Sequence, residues 1–151
     1  MGITPMMKMF PAILAALLMA LCLNVSAAGL GSPEQARDFG NEIIMAIGKG
    51  SHSDAWARMK SNTTIPPGRI DTFASGYASQ VDQTIRYFGP SIGMELLSAE
   101  LMGESLLRLT YLVKYEVTGV SWFLIFYKGK DNWVLTDFNY DINMNSIFNS
   151  Q

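Results

Sequence analysis

At 151 residues, 49% apolar and carrying 8 Phe, 6 Tyr and 3 Trp, the chain holds enough hydrophobic material for one packed domain, which excludes a disordered segment. Charged residues make up 16%, the formal net charge is −2 and no basic run occurs, so nucleic acid and anionic membrane are poor partners. One cysteine and one histidine exclude a disulfide framework and a His/Cys metal centre, and nothing in the sequence calls for a cofactor.

The chain opens as an exported protein does. Lys8 is the only charge before the apolar run from Met9 to Leu23, and Val25 and Ala27 supply the small-residue pattern that precedes a cleavage point. The run is shorter than the ~20 residues of a spanning helix, so a cleaved signal peptide over 1–27 is expected, with no stable membrane insertion afterwards. Leu21 before Cys22 does not suit a lipoprotein, and Met6 fails the serine or threonine of a myristoylation signal. Cleavage removes Lys8 and Cys22, leaving 10 basic against 13 acidic side chains and no thiol. The expected location is secreted or periplasmic.

Residues 28–31 read as a linker. Ser32, Pro33, Glu34 and Gln35 then give a cap, a first-turn proline, an acid at the positive helix end and a capping box. Ala36, Phe39, Ile43 and Ile47 form the apolar stripe of this first helix, which Gly48-Lys49-Gly50 stops. A short second helix, capped by Ser51 or Ser53, carries Ala55, Trp56 and Met59 inward. Asn62 to Gly68, with Pro66-Pro67, reads as a loop. A third helix spans about Arg69 to Phe88, with Ile70, Phe73, Tyr77, Val81 and Phe88 at helical steps and Gly89-Pro90 at its end.

Strands follow. From Glu104 to Val117, every odd position from Leu107 is apolar or aromatic, whereas Arg108, Thr110, Lys114 and Glu116 fall on even ones. The strand before it, about Ile92 to Leu101, changes phase after Leu96, the mark of a bulge. Val120 to Lys128 is apolar on both faces. Trp133 to Ile142 shifts phase between Leu135 and Phe138. The expected fold is α+β: three N-terminal helices packed on a curved antiparallel sheet of about four strands, one domain over 32–148 with a tail at 149–151.

This helix order, the Ser53-Asp54-Ala55-Trp56 start of the short helix, the run Tyr111-Leu112-Val113-Lys114-Tyr115-Glu116 and the strand Trp133-Val134-Leu135-Thr136-Asp137-Phe138 resemble the nuclear-transport-factor-2-like superfamily, the cystatin-like cone folds. Small exported members of unknown function are the most similar. The resemblance implies a cone-shaped fold with a pocket and no particular chemistry. Enzymes of that superfamily carry Asp, Tyr or His inside the cone, and none of their motifs maps residue by residue onto this chain.

Candidate chemistry is thin. His52 reads as a solvated turn histidine, with no second histidine or cysteine for a metal and no serine in a nucleophile elbow. Phe73, Tyr77, Tyr111 and Tyr115 are the candidate lining of a cone that holds a small apolar ligand, and equally the makings of an ordinary aromatic core. Asp137, with Tyr111, is the alternative pair for an isomerase or dehydratase, which needs Asp137 buried in the cone beside Tyr77, Tyr111 or Tyr115. Asn62-Thr63-Thr64 fits a glycosylation acceptor. A protein partner or a second copy is expected on the outer sheet face at Leu106 and Leu112. The third strand adds either Trp122, Leu124 and Phe126 or Phe123, Ile125 and Tyr127 to that face, and the first set is taken. The reading is an exported, non-catalytic binding domain. N-terminal sequencing of the exported protein should begin at Ala28; a start at Met1, Met6 or Met7 would show that the leader is retained.

Overall fold

The computed structural model describes residues 29–149, and the leader with its cleavage point lies outside the described residues. α1 (Pro33–Gly48) starts where the cap signals agree. Ser32 Oγ accepts the Gln35 N–H at 3.2 Å, and Gln35 Oε1 accepts the Gly31 N–H at 2.6 Å, one residue upstream of the usual capping box. α2 (His52–Ser61) follows a tight turn and buries Ala55, Trp56 and Met59. Ser51 stands at its cap position without a side-chain cap bond. α3 (Pro67–Phe88) begins earlier than Arg69, because Pro67 suits a first helical turn that has no use for its missing N–H. Gly89 ends it at φ 77°, a left-handed conformation in which glycine escapes the Cβ penalty.

Four antiparallel strands come next, β1 (Ser91–Met102), β2 (Leu106–Tyr115), β3 (Gly119–Lys128) and β4 (Trp133–Asp141), side by side in chain order. The short α4 (Asn145–Asn149) closes the described chain. The molecule is therefore α+β, with helices first and a four-stranded antiparallel sheet after them. Gly103 turns β1 into β2 at φ 61°, which takes Glu104 out of the strand. The β1–β2 register slips between Leu96 and Ser98, and the β3–β4 register slips at Ile125/Phe126, the two places where the apolar phase changes.

One face of the sheet is the core. Leu107, Leu109, Tyr111 and Val113 of β2 stand opposite Phe126, Leu124, Trp122 and Val120 of β3, and all eight are buried against residues of α1, α2 and α3. Each such side chain contributes on the order of 1.5–3 kcal/mol by leaving water. Trp133 and Leu135 extend this layer onto β4.

Segments outside the strands stitch the edge of β4. The Trp133 N–H donates to Leu30 C=O at 2.7 Å, the Leu135 N–H to Asn62 C=O at 3.1 Å, and the Thr64 N–H to Leu135 C=O at 3.2 Å. Thr63 Oγ1 donates to the same Leu135 carbonyl at 2.7 Å, and Asn62 Nδ2 to Trp133 C=O at 3.2 Å. The expected linker and loop are thus tied to the sheet. Asn62, read as a glycan acceptor, uses its amide to hold β4.

α1 lies close to the sheet because Gly40 has no side chain. A Cβ there would come within 2.8 Å of the Tyr111 hydroxyl and 2.9 Å of Leu109 Cδ1, both in the packed interior. Gly76 of α3 has open space at the same position. Gly40→Ala should therefore destabilise by about 1–3 kcal/mol through overpacking despite its better helix propensity. Gly76→Ala should stabilise by roughly 0.5–1 kcal/mol. Urea unfolding of the two variants checks the opposite signs.

Candidate binding surfaces

The aromatic residues converge where α2 and α3 cross the sheet. Trp122 lies 5.3 Å from Tyr77, 5.3 Å from Tyr140, 6.2 Å from Trp56 and 6.2 Å from Phe73, centroid to centroid. Phe73 packs edge-on to Phe138 at 4.7 Å. Its edge-to-face pairs each add roughly 0.5–1.5 kcal/mol beyond area. The cluster packs the inner side of the space between α3 and β4 with rings. The Trp122 indole Nε1 is buried in it without a hydrogen-bond partner among the described residues.

The four residues expected to line one cavity take up different places. Tyr111 is fully buried, and its hydroxyl donates to Asn41 Oδ1 at 3.0 Å on α1. Tyr115 is buried, with its ring tilted against Phe88 at 6.0 Å. Burial raises the pKa of both phenols; Arg37 opposes this at Tyr111, and the neighbouring Tyr77 hydroxyl opposes it at Tyr115. Tyr77 is buried too, at the inner wall of the seam between α3 and β4, where the half-buried Phe73 also lies. Phe73 and Tyr77 are brought together; Tyr111 and Tyr115 belong to the core.

Asp137 is exposed, on the face of β4 that pairs with Ile125 rather than with the buried Leu124 and Phe126. Its Oδ1 accepts the N–H of Phe138 at 2.9 Å. The pairing with Tyr111 that proton abstraction requires is not made, because the bulge at Thr136 turns Asp137 to the opposite side from the tyrosines. His52 is the first residue of α2 rather than a free turn residue; it is half-buried, with its ring 5.2 Å from Tyr77 and edge-on to it. Among the described residues, no three His, Cys, Asp or Glu side chains converge on a metal-sized site, and no helix is long and apolar enough to cross a membrane.

Two surfaces remain. The first is the outer sheet face, and its membership differs from the expected set. Trp122, Leu124 and Phe126 are each 0% exposed in the core, since they stand opposite the inward residues of β2. The outer residues of β3 are Phe123, Ile125 and Tyr127, beside Leu106 and Leu112 of β2 and Val134 of β4. Leu106 and Tyr127 are direct cross-strand partners, 42% and 47% exposed. Two ion pairs flank them, Arg108–Glu100 at 2.6 Å and Lys114–Glu95 at 3.6 Å. The Arg108 hydrogen bond holds the Glu100 carboxyl below its usual pKa. Sequence alone could not choose between the two sets on β3, because both are wholly apolar or aromatic.

The second surface is the seam along α3 and the free half of β4. Open space of about 460 Å³ lies at Gly68, Phe73, Asp137 and Phe138, and about 540 Å³ at Gln80, Val81, Tyr140 and Ile142. A smaller space of about 240 Å³ lies between them at Gly76 and Tyr77, sharing Phe73 with the first and Gln80 and Tyr140 with the second. Tyr140 donates its hydroxyl to Gln80 Oε1 at 2.9 Å across the seam. No sequence signal marked this groove, since it depends on where α3 crosses β4. Comparison with known protein families, curated proteins and solved structures finds no match for the chain.

The raised Tyr111 phenol sets a pH dependence. Its stabilisation is full below the unfolded value near 10.0 and is lost as pH rises toward the higher folded value. Tyr111→Phe should cost about 1 kcal/mol at neutral pH by losing the hydrogen bond. It should also flatten the decline of stability between about pH 10 and pH 12, where one such group contributes a slope of ~1.4 kcal/mol per unit. Urea titrations at the two ends of that window read both effects.

Proposed function

We propose that this chain is an exported, non-catalytic protein-binding domain that works through the outer face of its sheet, in keeping with the exported nuclear-transport-factor-2-like proteins it resembles. The observation that carries this is the contiguous apolar set Leu106, Leu112, Phe123, Ile125, Tyr127 and Val134, on the face opposite the core. α1, α2 and α3 all bury their residues on the other side. A domain with its apolar inner face already filled gains nothing from leaving a second apolar sheet face in water unless another surface covers it. The flanking Arg108–Glu100 and Lys114–Glu95 pairs make a polar rim, the usual border of a protein interface. The interior rings leave the aromatic residues as packing, so binding is assigned to the surface.

Native mass spectrometry of the chain recovered from its export compartment should give a homodimer or a mixed complex. The double variant Leu106→Lys, Tyr127→Lys should dissociate at least about tenfold more readily. Its stability should stay within about 0.5 kcal/mol, because both side chains are exposed. A bare monomer at every concentration would remove the reading.

A further inference from the structure

We infer that the free half of β4 accepts an extended polypeptide segment as an added strand, with alternate side chains of that segment seated in the seam against α3. This is separate from the outer sheet face and does not depend on it. The argument starts from backbone parity. Lys128 of β3 donates its N–H toward the β1–β2 turn, to Ser105 C=O at 2.8 Å, so even-numbered β3 residues point their backbone at β2. Leu124 and Trp122 share that parity, and their partners on β4 are Phe138 and Tyr140. The N–H and C=O groups of Phe138 and Tyr140 therefore point away from β3, out along the edge.

The same edge is already paired in its first half. Leu30 forms an antiparallel bridge with Trp133, and Thr63 a parallel one with Leu135. That pairing ends at the bulge, where the chain after Thr63 leaves for Pro67 and α3. Beyond it, Asp137 Oδ1 occupies the Phe138 N–H at 2.9 Å. The Phe138 C=O, the Tyr140 N–H and the Tyr140 C=O have no partner among the described residues. An exposed sheet edge of this kind is the usual template for strand addition.

The free set selects a direction. An antiparallel strand running past both residues would need all four groups of Phe138 and Tyr140, and the Asp137 carboxylate holds one of them. A parallel strand needs the Phe138 C=O and the Tyr140 N–H around a central residue level with Asn139, and both are free. It would continue the parallel pairing begun at Thr63–Leu135. The residues on either side of the central one would point to the side of Phe138 and Tyr140, into the seam. There one meets Ile65, Phe73 and Phe138, which suits an aliphatic or aromatic side chain. The other meets Gln80, Asn139 and Tyr140, which suits a hydroxyl or amide. The occupant is thus an extended partner segment free of proline at the central position, apolar at one inward residue and polar at the next.

The test uses the full chain and a fluorescein-labelled peptide of alternating valine and threonine, with amide hydrogen exchange as the second readout. Saturable binding with at least tenfold slower exchange of the Tyr140 amide is expected. Gly76→Arg puts a long side chain into the narrow middle of the seam at a helical position with open space around its Cβ, so it should fold and weaken binding at least tenfold. Unchanged affinity in Gly76→Arg, no binding at millimolar peptide, or protection confined to Phe123 and Ile125 would each overturn the inference. Protection of Tyr140 that rises with protein concentration alone, together with a dimer mass, would make a second copy the occupant and overturn the peptide assignment.

Discussion

The register between β2 and β3 decides which side of this molecule is interior. Leu107, Leu109, Tyr111 and Val113 have polar neighbours at Arg108, Thr110 and Lys114, so β2 has one possible inward face. β3 has no such preference beyond Ser121, since Trp122, Leu124 and Phe126 alternate with Phe123, Ile125 and Tyr127. Pairing Tyr111 with Trp122 puts the Trp122 ring inward, 6.2 Å from Trp56 of α2. A slip of one residue would bring Phe123 and Ile125 inward and send the indole of Trp122 to solvent. β2 thus supplies the specificity that β3 lacks.

This explains what was legible in the sequence. The helices announced themselves through caps and stripes: Ser32 and Gln35 for α1, Ala55, Trp56 and Met59 for α2, and Ile70, Tyr77 and Val81 for α3. The two phase changes located the register slips at Leu96/Ser98 and Ile125/Phe126, whereas the one between Ser91 and Gly93 left no such mark. What was not legible required a third dimension. Period two says that alternate residues share a face, but a strand apolar throughout cannot say which face is covered, and Trp122, Leu124 and Phe126 were placed outside on that account. The side that Asp137 faces was not legible for a related reason, because the bulge that re-aims it is defined by β3 as well as β4. The seam left no sequence mark at all; its walls are Gly68 to Gln83 on one side and Asp137 to Ile142 on the other, brought together only by the crossing of α3 over β4.

The aromatic cluster settles how α3 is held. Much of that helix is exposed, with only Ile70, Tyr77 and Val81 fully buried among its described side chains. Its attachment therefore rests on a few large rings, Phe73 against Phe138 and Tyr77 against Trp122 and Tyr140, instead of a broad aliphatic stripe. Rings project farther than aliphatic side chains, so they hold a helix at a distance from the sheet edge. Small residues at Gly76 and Ser79 leave that distance unfilled on the side facing β4, and the groove is the consequence.

Edge protection on β4 follows from the same geometry. A four-stranded sheet has two edges, and an unprotected one invites pairing with other chains. Here Leu30 and Asn62 to Thr64 cover the first half of β4, and each can do so because it lies where the chain enters or leaves a helix. Among the described residues no such segment pairs with the second half, since α3 departs at Pro67 and rides over the inner face. Asp137 covers one N–H of that half, and its carboxylate is near enough to do so only because the bulge brings it onto the edge. One charge in place of a strand blunts the antiparallel arrangement while leaving the Phe138 carbonyl and the Tyr140 amide exposed. An edge closed against general aggregation would have both residues capped; capping the Phe138 N–H alone weakens antiparallel pairing there and leaves every group that a parallel strand uses.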